Sequence, residues 1–149
     1  NHVKRRLEGR RLEVRLPDEL LMVMADGRLI QQVLVNLLDN AAKHTPPGKR
    51  ISLSADRVGR GYVRVTVEDE GEGVPPEDLP HIFEMFYTSK KRSSDVKKGI
   101  GLGLPICEAI IKAHGGTVSA ENITGGGARF NFMLPLAKDG QNDKTHSDN

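Results

Sequence analysis

At 149 residues, 37% of them hydrophobic, the chain is sized for one compact domain and carries too much apolar side chain for disorder to be its main state. Lys and Arg number 22 against 20 Asp and Glu, too even a balance to argue for nucleic acid, and 4% aromatics with no Trp leave little for base stacking. No apolar run reaches the ~20 residues of a membrane span, so no membrane contact is expected of this piece, and the lone Cys107 excludes an internal disulfide and fits a reducing compartment.

Residues 1–11 are basic and polar and read as a linker leaving a preceding helix; with no initiating Met and no secretory leader, the chain is expected to be part of a longer protein. Leu12, Val14 and Leu16 alternate with charged residues, which predicts a half-buried strand stopped by Pro17. From Asp26, a plausible N-cap, to His44 the period becomes helical, with Leu29, Ile30, Val33, Leu34, Leu37, Leu38 and Ala41 forming a wide apolar stripe. Pro46 and Pro47 end it. Two strands follow across Gly59-Arg60-Gly61, one aligning Ile51, Leu53 and Ala55, the next Val63, Val65 and Val67. A short helical turn is expected over 76–86, then a polar, basic loop over 87–98. Gly99 to Leu104 feed a second helix over 105–113, which Gly115-Gly116 end, and strands 117–121 and 128–134 meet through Gly125-Gly126-Gly127. The polar tail from 137 to 149 is expected to be disordered. Paired strands among the helices predict an α+β two-layer sandwich, its sheet mixed but mostly antiparallel, with the helices on one face.

Three places carry chemistry. Asn36, Asn40 and Lys43 lie at i, i+4 and i+7 on the first helix, within about 60° of arc, where two amides and an ammonium could hold an oxyanion and its counter-cation. Asp69 is in phase with Val63, Val65 and Val67, so its carboxylate projects inward, beside Gly71 and Gly73 where backbone can approach closely. Gly99, Gly101 and Gly103 precede a helix N-terminus, whose free N–H groups suit phosphate. Read alone, each has a bland explanation: a solvated helix face, a turn-starting Asp, a ligand-free hinge. The loop carries Lys90, Lys91, Arg92, Lys97 and Lys98 against Asp95 and could close over a polyphosphate, or be a solvated basic loop. Cys107, inside the second helix, reads as core. His114 sits in a last helical turn, where a cation is favoured.

In order, these segments resemble the boxes of the sensor histidine kinases. Asn36-Leu37-Leu38-Asp39-Asn40-Ala41-Ala42-Lys43-His44 is similar to the N box, Asp69-Glu70-Gly71-Glu72-Gly73 to the G1 box, and Phe83-Glu84-Met85-Phe86 to the F box, with Met85 where Pro is common. Gly99-Ile100-Gly101-Leu102-Gly103-Leu104 is similar to the G2 box, followed by the typical His114-Gly115-Gly116 and Gly127-Ala128-Arg129-Phe130. The resemblance runs from about Leu12 to Pro135. Within that family, Arg15-Leu16-Pro17-Asp18 and the run Val33–Thr45 resemble the KdpD-type kinases.

The resemblance implies a Bergerat ATP-binding sandwich over 12–136, with 87–98 as an ATP lid, poorly ordered without ligand. It implies that Asp69 accepts from the adenine amino group, that Gly71, Gly73 and Val74 shape the base pocket, and that Asn40, beside Asn36, binds Mg2+. Lys43, His44, Tyr87, Lys90 and Arg92 would contact the nucleotide, and Gly99, Gly101, Leu102, Gly103 and Leu104 would surround its phosphates. Hydrolytic relatives commonly carry Glu in the place of Asn36; an amide cannot act as general base, which favours transfer to a histidine. That acceptor would lie on a helical dimerisation domain missing from this chain, passing phosphate to a response regulator. The whole protein would be a homodimer in the bacterial inner membrane with this domain in the cytoplasm. The alternatives are a nucleotide-binding regulatory module without catalysis, or a Bergerat-fold ATPase or serine kinase.

Overall fold

The computed structural model describes residues 7–85, 87 and 103–138. Five strands form one sheet in the order β1-β2-β3-β5-β4: β1 (Arg11–Arg15), β2 (Arg50–Val58), β3 (Tyr62–Asp69), β4 (Thr117–Asn122) and β5 (Ala128–Pro135). β1 runs parallel to β2, and every other neighbouring pair is antiparallel. Two helices, α1 (Gly27–Lys43) and α2 (Gly103–Ala113), pack against each other, α1 over β3 and α2 over β4 and β5. This is the expected α+β sandwich, helices on one face.

The first helix begins where the sequence places its cap. Asp26 accepts from the N–H groups of Arg28 (3.0 Å) and Leu29 (3.4 Å), satisfying two of the donors a helix start leaves over. His44 is the C-cap, and Thr45 turns its hydroxyl back to the Ala41 carbonyl (2.6 Å). The buried stripe is Val33, Leu37, Ala41 and Ala42, narrower than the sequence pattern, since Leu29 stays exposed. α2 is stopped just before Gly115, whose φ of +80° suits glycine, and Gly116 donates to the Ile111 carbonyl (2.9 Å).

Between the layers lie Ile51, Val63, Val67, Phe130, Phe132 and Leu134 from the sheet, with Cys107 and Ile111 from α2. The opposite sheet face is polar and internally paired. Arg129 bonds Glu68 (2.6 Å) and Glu121 (2.9 Å), Arg64 bonds Asp56 (2.9 Å), and Thr66 bonds Asn131 (2.9 Å). These partners stand opposite one another in register, so the outer face is a ladder of cross-strand pairs.

One expectation fails at β1. Leu12 and Val14 align with Ile51 and Leu53 on the helix side, as the alternation implies, yet they are 44% and 51% exposed. β1 is an edge strand, and the helices stand over β3, β4 and β5 instead. The period is right and the cover is missing. Among the described residues no helix is long and apolar enough to cross a membrane.

Candidate functional site

A pocket opens at the sheet end where β3 finishes and β5 begins, roofed by the C-terminal half of α1. Its walls are Asn40 and the C-cap His44 of α1, Asp69 at the end of β3 with Gly73 and Val74 beyond it, Ile82, Leu104 from α2, and Ala128 and Phe130 from β5. Segments remote in sequence therefore meet here.

Asp69 is 5% exposed, and its period-2 phase with Val63 and Val67 carries it to the inner face. A buried carboxylate needs donors. Oδ1 accepts from the N–H of Gly71 (2.9 Å) and of Ala128 (3.2 Å), so backbone on both sides fixes the plane of the group.

The glycines around it are demanded by contact. A Cβ on Gly71 would lie 1.9 Å from the His44 carbonyl oxygen; one on Gly73, where φ is +84°, would lie 3.2 Å from the Gly127 carbonyl oxygen. Val74 is buried and lines the pocket.

The helix face divides. Asn40 and His44 line the pocket. Asn36 lies one turn away, donating to the Gly103 carbonyl (3.3 Å) and accepting from Gln32 (2.7 Å), so it ties α1 to the first turn of α2. Lys43 faces Asp39 at 3.6 Å and is not among the lining residues. Tyr87 also stands away from the walls. Its hydroxyl donates to Asp78 and its ring stacks on His81 at 5.0 Å, and the Asp78 hydrogen bond pushes the phenol up to about 12. Gly103 opens α2 and Leu104 reaches the wall; Lys90, Arg92, Gly99, Gly101 and Leu102, with most of 87–98, lie outside the described residues.

Sequence reasoning missed the contribution of the β4–β5 hairpin as a wall. Ala128 and Phe130 stand opposite Asp69 and Val67, so the alternation over 128–134 held that signal. Asn122, which bonds Val74, carried none. His114, read as a simple helix end, instead spans two helices: Nδ1 meets the Ile110 carbonyl (2.7 Å), and Nε2 accepts from the Asp26 N–H (3.1 Å).

A buried, donor-fixed carboxylate at a strand end, an amide on the helix above it and glycines at the rim thus meet at one pocket of an α+β domain. The chain belongs to the histidine kinase-, DNA gyrase B- and HSP90-like ATPase family, which matches residues 25–138. Over 128 residues it is 41% identical to the sensor protein KdpD of Clostridium acetobutylicum, a match covering 86% of this chain and 14% of that protein. The catalytic domain of histidine kinase ThkA is 33% identical with a TM-score of 0.74, covering 90% of this chain and 84% of that one. Full-length ShkA, solved in complex with AMPPNP, is 31% identical with a TM-score of 0.75, covering 92% and 29%. Within the family, the chain is a catalytic domain of the sensor histidine kinase kind, and it spans a minor part of the length of the sensor proteins it matches.

Proposed function

We propose that this domain binds Mg-ATP in the pocket beside Asp69 and transfers the γ-phosphoryl to a histidine on a separate helical dimerisation domain of the same protein. The observation that carries the reading is the convergence on one pocket of Asn40 from α1 with Asp69 and Gly73 from the end of β3 and the turn after it. Asp69, its Oδ1 bonded to two backbone donors, accepts from the adenine amino group, and the Gly71–Val74 turn forms the base wall. The free N–H groups opening α2, with Gly103 and Leu104, face the phosphates.

Asn40 fits Mg2+. It lines the pocket with a neutral amide oxygen, which would hold the cation together with phosphate and water. Mg2+ tolerates such a set, and when bound it neutralises phosphate charge. Asn36 offers no carboxylate to activate water, and its amide is engaged with Gly103 and Gln32. That disfavours hydrolysis. Transfer then needs an incoming imidazole nitrogen that bonds phosphorus as the bond to the β-phosphate oxygen breaks and ADP leaves.

By the same reading, 12–136 is the catalytic unit, 87–98 its lid, and residues before 12 join the acceptor hairpin. The whole protein is a homodimer serving a response regulator. In the same reading the domain lies in the cytoplasm and the whole protein is a membrane sensor.

Calorimetric titration of ATP, with and without Mg2+, tests the site. A Kd in the micromolar range, about −8 kcal/mol at 1 μM, is expected for the wild-type chain. At least tenfold weakening is expected in Asp69→Asn, on the scale of a hydrogen bond to a charged group. A supplied histidine-bearing hairpin should then take up labelled γ-phosphate. Absence of binding by the wild-type chain overturns the reading.

A further inference from the structure

Asn122 is the last residue of β4, 48 positions from Val74, yet its side chain is bound to that residue's backbone twice. Its Nδ2 donates to the Val74 carbonyl (2.7 Å) and its Oδ1 accepts from the Val74 N–H (2.8 Å). A neighbouring strand supplies such a donor–acceptor pair in a ladder; here an amide side chain does so for the turn that follows β3. The contact is close: a Cβ on Gly73 would lie 2.8 Å from Oδ1. At the same end of the hairpin, where Ala128 pairs with Asn122, the other strand holds Asp69 through the Ala128 N–H and through Gly127, where a Cβ would lie 1.9 Å from the Asp69 carbonyl oxygen. One hairpin thus grips both sides of the pocket, the carboxylate and the Gly73–Val74 turn.

We propose that Asn122 is a positioning residue for the purine base. By clamping Val74 it fixes the spacing between the Gly73–Val74 wall and the Asp69 carboxylate, the slot into which an adenine would slide. It touches no substrate itself, and the inference rests on the nucleotide reading above. An amide is required because donor and acceptor are both used. Aspartate would set a carboxylate oxygen against the Val74 carbonyl, and alanine would leave both Val74 groups without their side-chain partner.

The test is titration of ATP and of GTP into the wild-type chain, Asn122→Ala and Asn122→Asp, with circular dichroism and thermal melting as checks of folding. ATP affinity is expected to fall about tenfold in both variants, the scale of two neutral hydrogen bonds. The isosteric Asp variant should be at least as impaired as Ala. GTP cannot offer an amino group to Asp69 in the same way and leans on its phosphates, so its affinity should change by less than about twofold. The preference for ATP over GTP therefore shrinks. Wild-type ATP affinity in both variants, or equal losses for both nucleotides, overturns the proposal. If Asn122→Ala does not fold, Asn122→Asp decides; if neither folds, Asn122 holds the fold rather than the slot, and the proposal fails. A wild-type chain that binds neither nucleotide sinks the nucleotide reading itself, whereas variants that match an ATP-binding wild type sink only the role of Asn122.

Discussion

A methyl group on Gly71 has nowhere to go. Its carbon would sit 1.9 Å from the His44 carbonyl oxygen, a backbone atom at the end of α1 that cannot swing aside. Gly71→Ala should therefore destabilise by about 1–3 kcal/mol, the usual scale of overpacking, and weaken ATP binding with it. Gly27 is the control: nothing lies within 4 Å of its Cβ position, at the first residue of α1, and Gly27→Ala should be neutral or mildly stabilising. Urea unfolding of the two variants decides it, and equal midpoints would refute the crowding at Gly71. The need for glycine at 71 and 73 was legible from sequence, because a strand that delivers a carboxylate inward must be followed by backbone able to close on it. Asn122 was not, since its partner stands 48 positions away and nothing local marks a residue whose amide is used at such a distance.

At the scale of elements, both helices and all five strands were legible, because hydrophobic period and turn chemistry are local. Asp26 as N-cap is a case where one residue type, its position and the apolar stripe behind it agree. What could not be read was cover and cross-bracing. β1 has the alternation of a half-buried strand and lies at an uncovered edge, since the placing of helices over β3, β4 and β5 is a tertiary matter. The start of α1 and the end of α2 are braced by His114, whose partner Asp26 is 88 positions away. Because Nδ1 meets a carbonyl and can only donate there, the proton is assigned to Nδ1, and Nε2 offers its lone pair to the Asp26 N–H. Asp26→Ala should cost about 1 kcal/mol as a lost cap. His114→Ala should cost a similar amount, roughly 1–2 kcal/mol, by leaving the Asp26 N–H and the Ile110 carbonyl without the ring. Since both act on one helix start, the double variant should be less destabilised than the sum. Strict additivity would show that cap and brace act independently, and a His114→Ala chain as stable as the wild type would show that the brace does nothing.

At the scale of the whole molecule, Cys107 reports on opening. It is fully buried in α2 with Sγ 3.8 Å from the Val33 carbonyl oxygen, and burial pushes the thiol up to about 11. Two consequences follow. Between the ordinary thiol range, near ~8.5, and about 11, the unfolded chain has released a proton that the folded chain still holds. Stability must then fall as pH rises through that window, and below it this group adds no pH dependence, because both states hold the proton. The second concerns reactivity. Iodoacetamide attacks the thiolate, so at neutral pH the folded chain should resist it, and modification should proceed through open molecules in proportion to their population. A ligand that binds only the folded state lowers that population by 1 + [L]/Kd, so ATP at 100 times its Kd should slow alkylation about a hundredfold. Asp26→Ala, by contrast, should speed it up by the factor its stability loss implies, though it leaves the surroundings of Cys107 in place. Alkylation that ignores both ATP and Asp26→Ala would mean that Cys107 is reached by a local opening of α2, uncoupled from the pocket. Alkylation that answers to both would show that one cooperative core joins the helix pair to the site.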